Sequence, residues 1–278
     1  MPFIGKYNTL KIVKELDFGV YLDGAELGEI LLPRRYVPLN FRPGDEVEVF
    51  LYFDSDDRII ATTEKPRATV GEFALMRVKS VDKFGAFMDW GLMKDLLVPF
   101  REQKVNMVEG RSYIVHVFID KRSNRIAGSA KLEQFLDRIP PEYEPGQQVE
   151  LLIWQATDMG YKAIVNHFHQ GMLYANEVFQ KLNVGQTITG YVKKIREDQK
   201  IDLSLYPIGY AKVGEQTDPI LAYLEKEGGF APLTDKTPPD EIYSLFGVSK
   251  KTFKRAIGAL YKDGKILIQE NGISLVKI

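Results

Sequence analysis

The sequence predicts three small, five-stranded β-barrels followed by an α/β domain of three helices and a hairpin. Three observations predict it: a unit that recurs three times, short β-rich segments within each copy, and a change of apolar spacing beyond residue 215 from the period of a strand to that of a helix.

The repeat comes first because it sets the boundaries. "DFGVYLD" at 17–23 matches "KFGAFMD" at 83–89, and the same step of 66 carries Gly44 to Gly110, Ile60 to Ile126 and Pro33 to Pro99. A step of 75 then carries Gly85 to Gly160, Gly110 to Gly185 and Ser129 to Ser204. The expected modules are 1–66, 67–138 and 146–208, with a fourth at 215–278. Within each copy run an opening strand, a Phe-Gly strand, a short apolar strand ("ILLP", "LLVP", "MLY"), a long strand after a Gly turn, and a closing strand ("RIIATT", "RIAGSA", "KIDLSL"). Five strands in so short a span suit a closed OB-like barrel better than a sandwich, which needs about seven strands and about 100 residues.

"VDKFGAFMDW" at 81–90 is the segment that invites a function. Alternation in a strand sends Phe84 and Phe87 to opposite faces. A bulge at Gly85 is expected to return both rings to one side, where they form a stacking platform. The alternative is that one ring is simply core.

Composition bounds the rest. The chain has 278 residues, 45% of them hydrophobic, enough for several cores. With 37 basic against 38 acidic residues, no global field announces a partner, so local charge must carry that argument. Residues 1–65 hold 8 basic and 12 acidic side chains and residues 66–137 hold 12 and 9, which makes the first repeat the poorer electrostatic partner for phosphate. There is no cysteine, so disulfides and thiol chemistry are excluded and a reducing compartment fits. "MPFIGKYNTL" lacks a basic segment followed by an apolar core, and no run of about 20 apolar residues occurs, so the expectation is a cytoplasmic protein without a membrane partner.

After the connector "YPIGYAKVGEQTDP" the pattern becomes helical. "PILAYLEKEGG" predicts a helix stopped by Gly228-Gly229, "PPDEIYSLFGVS" a second closing at Gly247, and Ser249 caps a third, "KKTFKRAIGALYKDG", ending at Gly264. On the third, Phe253, Ala256, Ile257 and Leu260 share one face, while Lys251, Lys254, Arg255 and Lys262 lie opposite, with Lys250 at its start. Gly258 sits in that basic face and would admit a phosphate closely; a merely solvated charged face is the alternative. "KILIQENGISLVKI" predicts a hairpin with Asn271-Gly272 as a type I′ turn.

Phe-Gly-x-aromatic, a small apolar triplet, a Gly-led strand and a closing Ile-x-x-Ser strand together resemble the S1 RNA-binding domain. That resemblance implies that the aromatics flanking the glycine face RNA: Phe18 and Tyr21 in the first copy, Phe84 and Phe87 in the second. The third copy has Met159 and Lys162 instead, trading stacking for a cation. The family's RNA-contacting histidine is replaced in every copy, and Tyr174 alone offers a ring at that point. Lys193, Lys194 and Arg196 on one strand, with Lys200 beyond its turn, add charge beside the third barrel, or are ordinary solvated sheet surface. Helix, helix, basic helix and hairpin resemble a winged-helix domain, whose third helix commonly faces nucleic acid. The whole arrangement resembles the conserved virulence factor B (YitL-like) family, which implies an RNA-binding regulator of gene expression, without catalysis or cofactor.

Enzymatic readings find little purchase. His167-x-His169 could supply two metal ligands but needs a third, and a loop pair is the plainer alternative. His116, inside the apolar run "YIVHVFI", reads as a structural histidine, and no phosphate loop, nucleophile elbow or HExxH motif occurs. The sequence thus predicts a non-catalytic binder of single-stranded RNA. Its rivals are a duplex-DNA regulator acting through the winged helix and a module that docks on ribosome or polymerase.

Overall fold

The computed structural model describes residues 1–175, 177–178, 180–207, 213–246 and 248–276. The first barrel comprises β1 (Tyr7–Leu16), β2 (Gly19–Asp23), β3 (Glu29–Pro33), β4 (Glu46–Phe53) and β5 (Ile59–Thr62), closed in the order β1-β2-β3-β5-β4. Neighbours are antiparallel except β3 and β5, whose parallel pairing closes the barrel at Leu31 and Ile60. The second module comprises β6 (Phe73–Val81), β7 (Gly85–Met88), β8 (Leu96–Pro99), β9 (Ser112–Asp120) and β10 (Arg125–Ser129) in the same cyclic order. Its seam between β8 and β10 carries no ladder, and side chains fill it: a methyl added at Gly128 would stand 2.8 Å from Val98 Cγ2. The third, with β11 (Gln148–Thr157), β12 (Gly160–Val165), β13 (His169–Tyr174), β14 (Thr187–Ile195) and β15 (Ile201–Ser204), is again a closed barrel.

The expected bulge exists but lies elsewhere. The register shifts between Val78 and Ser80 on β6, and between Ile12 and Lys14 on β1, so the extra residue sits on the strand opposite the Phe-Gly strand. The glycine instead begins β2, β7 and β12, because the chain crosses a neighbouring carbonyl there. A Cβ at Gly19, Gly85 or Gly160 would meet Leu32 O at 2.3 Å, Val98 O at 2.2 Å or Leu173 O at 2.0 Å. Those three carbonyls are separated by the same steps as the glycines, and φ at Gly85 is +151°, which a side chain rarely adopts.

Cores follow the alternation. Val47, Val49 and Leu51 of β4 point into the first barrel, whereas Phe50 and Tyr52 on its other face join the second module's core with Met76, Met88, Trp90 and Val98. Phe50 meets Trp90 edge-on at 5.6 Å, and Trp90 Nε1 donates to Ala68 O at 2.7 Å. A strand buried on both faces explains the unbroken apolar run "VFLYF". The chain divides into two compact units, and the first takes in Met1–Pro140 with Ile164–His169 and Gly185–Thr187.

In the second unit lie α1 (Val213–Lys226), β16 (Phe230–Ala231), α2 (Pro239–Phe246), α3 (Lys250–Lys262), β17 (Ile266–Gln269) and β18 (Gly272–Leu275), with sheet order β16-β18-β17. Phe253, Ala256, Ile257 and Leu260 of α3 bury against Ile220, Leu224 and Ile273. Ser249 Oγ caps α3 by accepting from Thr252 N–H at 3.1 Å, a contact that contributes about 1 kcal/mol.

Two local expectations are corrected here. Helix α1 starts at Val213, six residues before the expected start at Pro219, and so carries that proline inside it, where the ring forfeits its own N–H bond and crowds the carbonyl four residues back. The hairpin turn is Glu270-Asn271, because Gln269 already pairs with Gly272, and neither turn residue has positive φ, so it is not type I′. Gly272 serves the sheet instead: a Cβ there would stand 2.2 Å from Ala231 O. Connector residues 208–212 and the expected stop at Gly247 lie outside the described residues.

Candidate nucleic-acid interface

The side chains that flank each repeat glycine reach solvent. Phe18 and Phe84 stand in the turns before β2 and β7, outside the strand alternation, and are 55% and 59% exposed. Tyr21 and Phe87, within the strands, are half-buried. Phe18 and Tyr21 meet edge to face, 6.3 Å between centroids at 85°, so they form a corner rather than one flat platform. Asp82 Oδ1 shapes the second turn by accepting from Phe84 N–H at 2.7 Å. Cations lie over both sites: Lys14 Nζ is 4.7 Å from the Tyr21 centroid and Lys83 Nζ is 5.1 Å from that of Phe84.

In the third barrel the equivalent Met159 is exposed, and Lys162 Nζ rests 5.3 Å from the Trp154 ring rather than pointing freely outward. A cleft of about 300 Å³ opens beside them, lined by Met159, Lys162, Tyr174, Arg196, Lys200 and Asp202. The register of β14 shifts between Val192 and Lys194, and this bulge sorts its cations. Lys193 pairs with Glu177 at 2.5 Å, while Arg196 Nε and Lys194 Nζ lie 2.9 and 3.8 Å from the buried Asp202 carboxylate. The sequence reading missed Asp202. Its signal lay in the repeat, where the equivalent positions hold Ala61 and Ala127.

On α3, Lys251, Lys254, Arg255 and Lys262 are exposed and Lys250 is half-buried. Lys254 pairs with Asp235 at 3.2 Å; among the described residues the others make no ion pair. Gly258 faces open space within an open cleft of about 520 Å³ that also touches Lys236, Lys254 and the hairpin residues Ile268 to Glu270.

The histidines are occupied structurally. His167 Nδ1 accepts from Phe73 N–H at 3.1 Å, and His169 Nε2 lies 2.8 Å from Ile139 O, so that nitrogen carries the proton and donates. His116 is buried, its ring stacked on Phe135 at 4.0 Å, and burial pushes its pKa down to about 4, which keeps it neutral. Among the described residues no three His, Cys, Asp or Glu side chains are grouped to hold a metal ion.

Barrels with solvent-facing rings at one recurrent point, followed by a basic third helix on a three-stranded sheet, define a multidomain S1 and winged-helix protein. Comparison with known families agrees: the S1 domain matches residues 4–64 and the CvfB-like winged helix domain matches residues 218–275. YitL of Bacillus subtilis is 30% identical over 275 residues, 96% of this chain and 92% of that protein. Conserved virulence factor B of Staphylococcus saprophyticus is 25% identical over 241 residues, covering 84% and 81% of the two chains. The chain belongs to this conserved virulence factor B family. A crystal structure from Streptococcus pneumoniae, described as a multidomain protein with nucleic acid binding domains, aligns over 98% of both chains at 27% identity, with a TM-score of 0.43.

Proposed function

We propose that this chain is a non-catalytic, cytoplasmic regulator of gene expression that binds single-stranded RNA across its barrels. The observation that carries this reading is the recurrence, beside the same crossing glycine, of an exposed ring with a half-buried one, Phe18 with Tyr21 and Phe84 with Phe87. Unstacked bases cover such rings, and the sequence of the strand matters little because every base has a π-face. Phosphates are drawn to Lys162 of the third barrel and to Lys250, Lys251, Arg255 and Lys262 of α3. Lys193, Lys194, Arg196, Lys200 and Lys254 contribute less net charge, since each already faces a carboxylate. In this reading the chain works as four modules, at 1–66, 67–138, 146–208 and 215–278. Crosslinking the full chain to a mixed single-stranded RNA pool and mapping the modified peptides tests it. Crosslinks at Phe18, Phe84 or their neighbours are expected, and their absence from every barrel would overturn it.

One observation favours a second reading, in which α3 takes duplex DNA: its basic face is exposed and open at Gly258. Competition between single-stranded RNA and duplex DNA of equal length decides, with a clear duplex preference selecting the second.

A further inference from the structure

We propose that the third barrel reads a guanine base, through an arginine held in place by a carboxylate that the first two barrels lack. This inference rests on the RNA-binding reading above and adds a base preference to it.

The three repeats differ at two facing positions. Pro33 and Pro99 on β3 and β8 become Tyr174 on β13, and the buried Ala61 and Ala127 on β5 and β10 become Asp202 on β15. Asp202 is 4% exposed, so the third barrel buries a carboxylate where its siblings bury a methyl group. A buried carboxylate is costly unless it is paired and hydrogen-bonded, and this one is. Arg196 Nε donates to Oδ1 at 2.9 Å, the Tyr174 hydroxyl donates to the same oxygen at 3.3 Å, and Lys194 Nζ lies 3.8 Å from Oδ2. Arg196 Nη2 in turn donates to the Tyr174 hydroxyl oxygen, and its guanidinium lies 5.7 Å from the Tyr174 ring centroid.

These contacts use one edge of the guanidinium, formed by Nε and Nη2. The end edge, with one N–H on Nη1 and one on Nη2, is left as a fork of two parallel donors. A donor fork needs two adjacent acceptors, which guanine supplies at O6 and N7. Adenine opposes it, offering N7 beside the N6 amino donor, and uracil presents no such pair. Cytosine offers O2 beside N3 on its Watson–Crick edge and is the rival that the test must separate from guanine. The cleft that Arg196 lines has about 300 Å³, the low end of the ~300–1,000 Å³ of small-molecule sites and suited to one nucleotide. Met159 offers an apolar surface to the base, and Lys162 stands by for an adjoining phosphate, while Lys200 is paired with Asp198 at 2.8 Å. Asp202 is here a positioning residue: it acts on the base only by orienting Arg196.

The test is equilibrium anisotropy of the full chain with labelled oligouridine 12-mers whose centre carries guanine, adenine, cytosine or 7-deazaguanine. The guanine strand should bind about 5- to 150-fold more tightly than the adenine strand, the range for a bidentate base contact. Removing N7 in the 7-deaza strand should erase most of that preference. Arg196→Lys keeps the charge at an exposed site but loses the fork, so it should abolish the preference, with the guanine and adenine strands bound equally. Asp202→Asn should do the same by releasing Arg196, provided near-UV circular dichroism shows an intact barrel; Arg196→Lys tests the proposal whether or not that variant folds. Equal affinity for the guanine and adenine strands, a cytosine strand bound as tightly as the guanine strand, or an undiminished 7-deaza complex overturns the guanine inference and leaves RNA binding standing. Failure to bind any of the four strands overturns the functional reading itself, and this inference with it.

Discussion

The charge on α3 gives a prediction whose size follows from its ion pairs. Lys251, Arg255 and Lys262 are exposed and make no ion pair among the described residues, while Lys254 is engaged by Asp235 at 3.2 Å. Replacing those three by glutamine removes three cations available to phosphate and keeps residues that favour helix. Each phosphate neutralised on a single strand contributes about −0.7 to the slope of log affinity against log salt, so the slope should become shallower by about 2.1. Between about 50 and 200 mM salt that difference amounts to roughly 20-fold in affinity. Fluorescence anisotropy of a labelled 20-mer RNA across a salt series reads it, with far-UV circular dichroism confirming the helix. A variant whose slope matches the parent's would show that α3 touches no phosphate, and the cationic part of the proposed interface would shrink to the third barrel.

Phe50→Ala should cost about 3–5 kcal/mol and loosen both of the first two modules, since Phe50 leaves β4 for the core that holds Trp90. Hydrogen exchange measured by mass spectrometry should show faster exchange in β9 as well as in β4; a change confined to β4 would refute the shared core. His116 predicts a pH dependence of stability. Its folded pKa of about 4 lies below the ordinary 6.5, so the unfolded chain binds the extra proton first. That contribution is complete above about pH 6.5 and is lost as pH falls towards 4, by about 3 kcal/mol in all. Urea titrations of the parent and of His116→Phe across this window should differ in pH slope, and parallel curves would contradict the assignment.

Much of the architecture was legible because the repeats preserve their spacing. The crossing glycines recur at fixed steps in all three copies, the seam proline in the first two and the closing Ile-x-x-Ser in the last two, and a fixed step is visible without knowing any contact. The apolar stripe of α3 was legible for a similar reason: Phe253, Ala256, Ile257 and Leu260 share a face by helical geometry alone. What escaped depended on which partner each strand meets. Gly85 reads as a bulge from its own strand, and only the carbonyl of Val98 across the sheet shows it to be a crossing point. The join of the first two cores was written in "VFLYF", a run too continuous for a strand with one wet face, yet nothing local names its partner. Asp202 sat inside an ordinary "KIDLSL" strand; its meaning appears only when Arg196 and Tyr174 converge on it. The type I′ turn misled because Asn-Gly is a strong local signal, and the close approach of Ala231 claimed the glycine for another purpose.

The rings of the second barrel are where RNA binding is most directly tested. The double variant Phe84→Ala, Phe87→Ala should bind single-stranded RNA at least tenfold more weakly than the parent, since each stacked base contributes about 1–3 kcal/mol. Its melting temperature should change little on account of Phe84, which is 59% exposed. An affinity equal to the parent's, measured on a folded double variant, would contradict the claim that nucleobases cover these barrels.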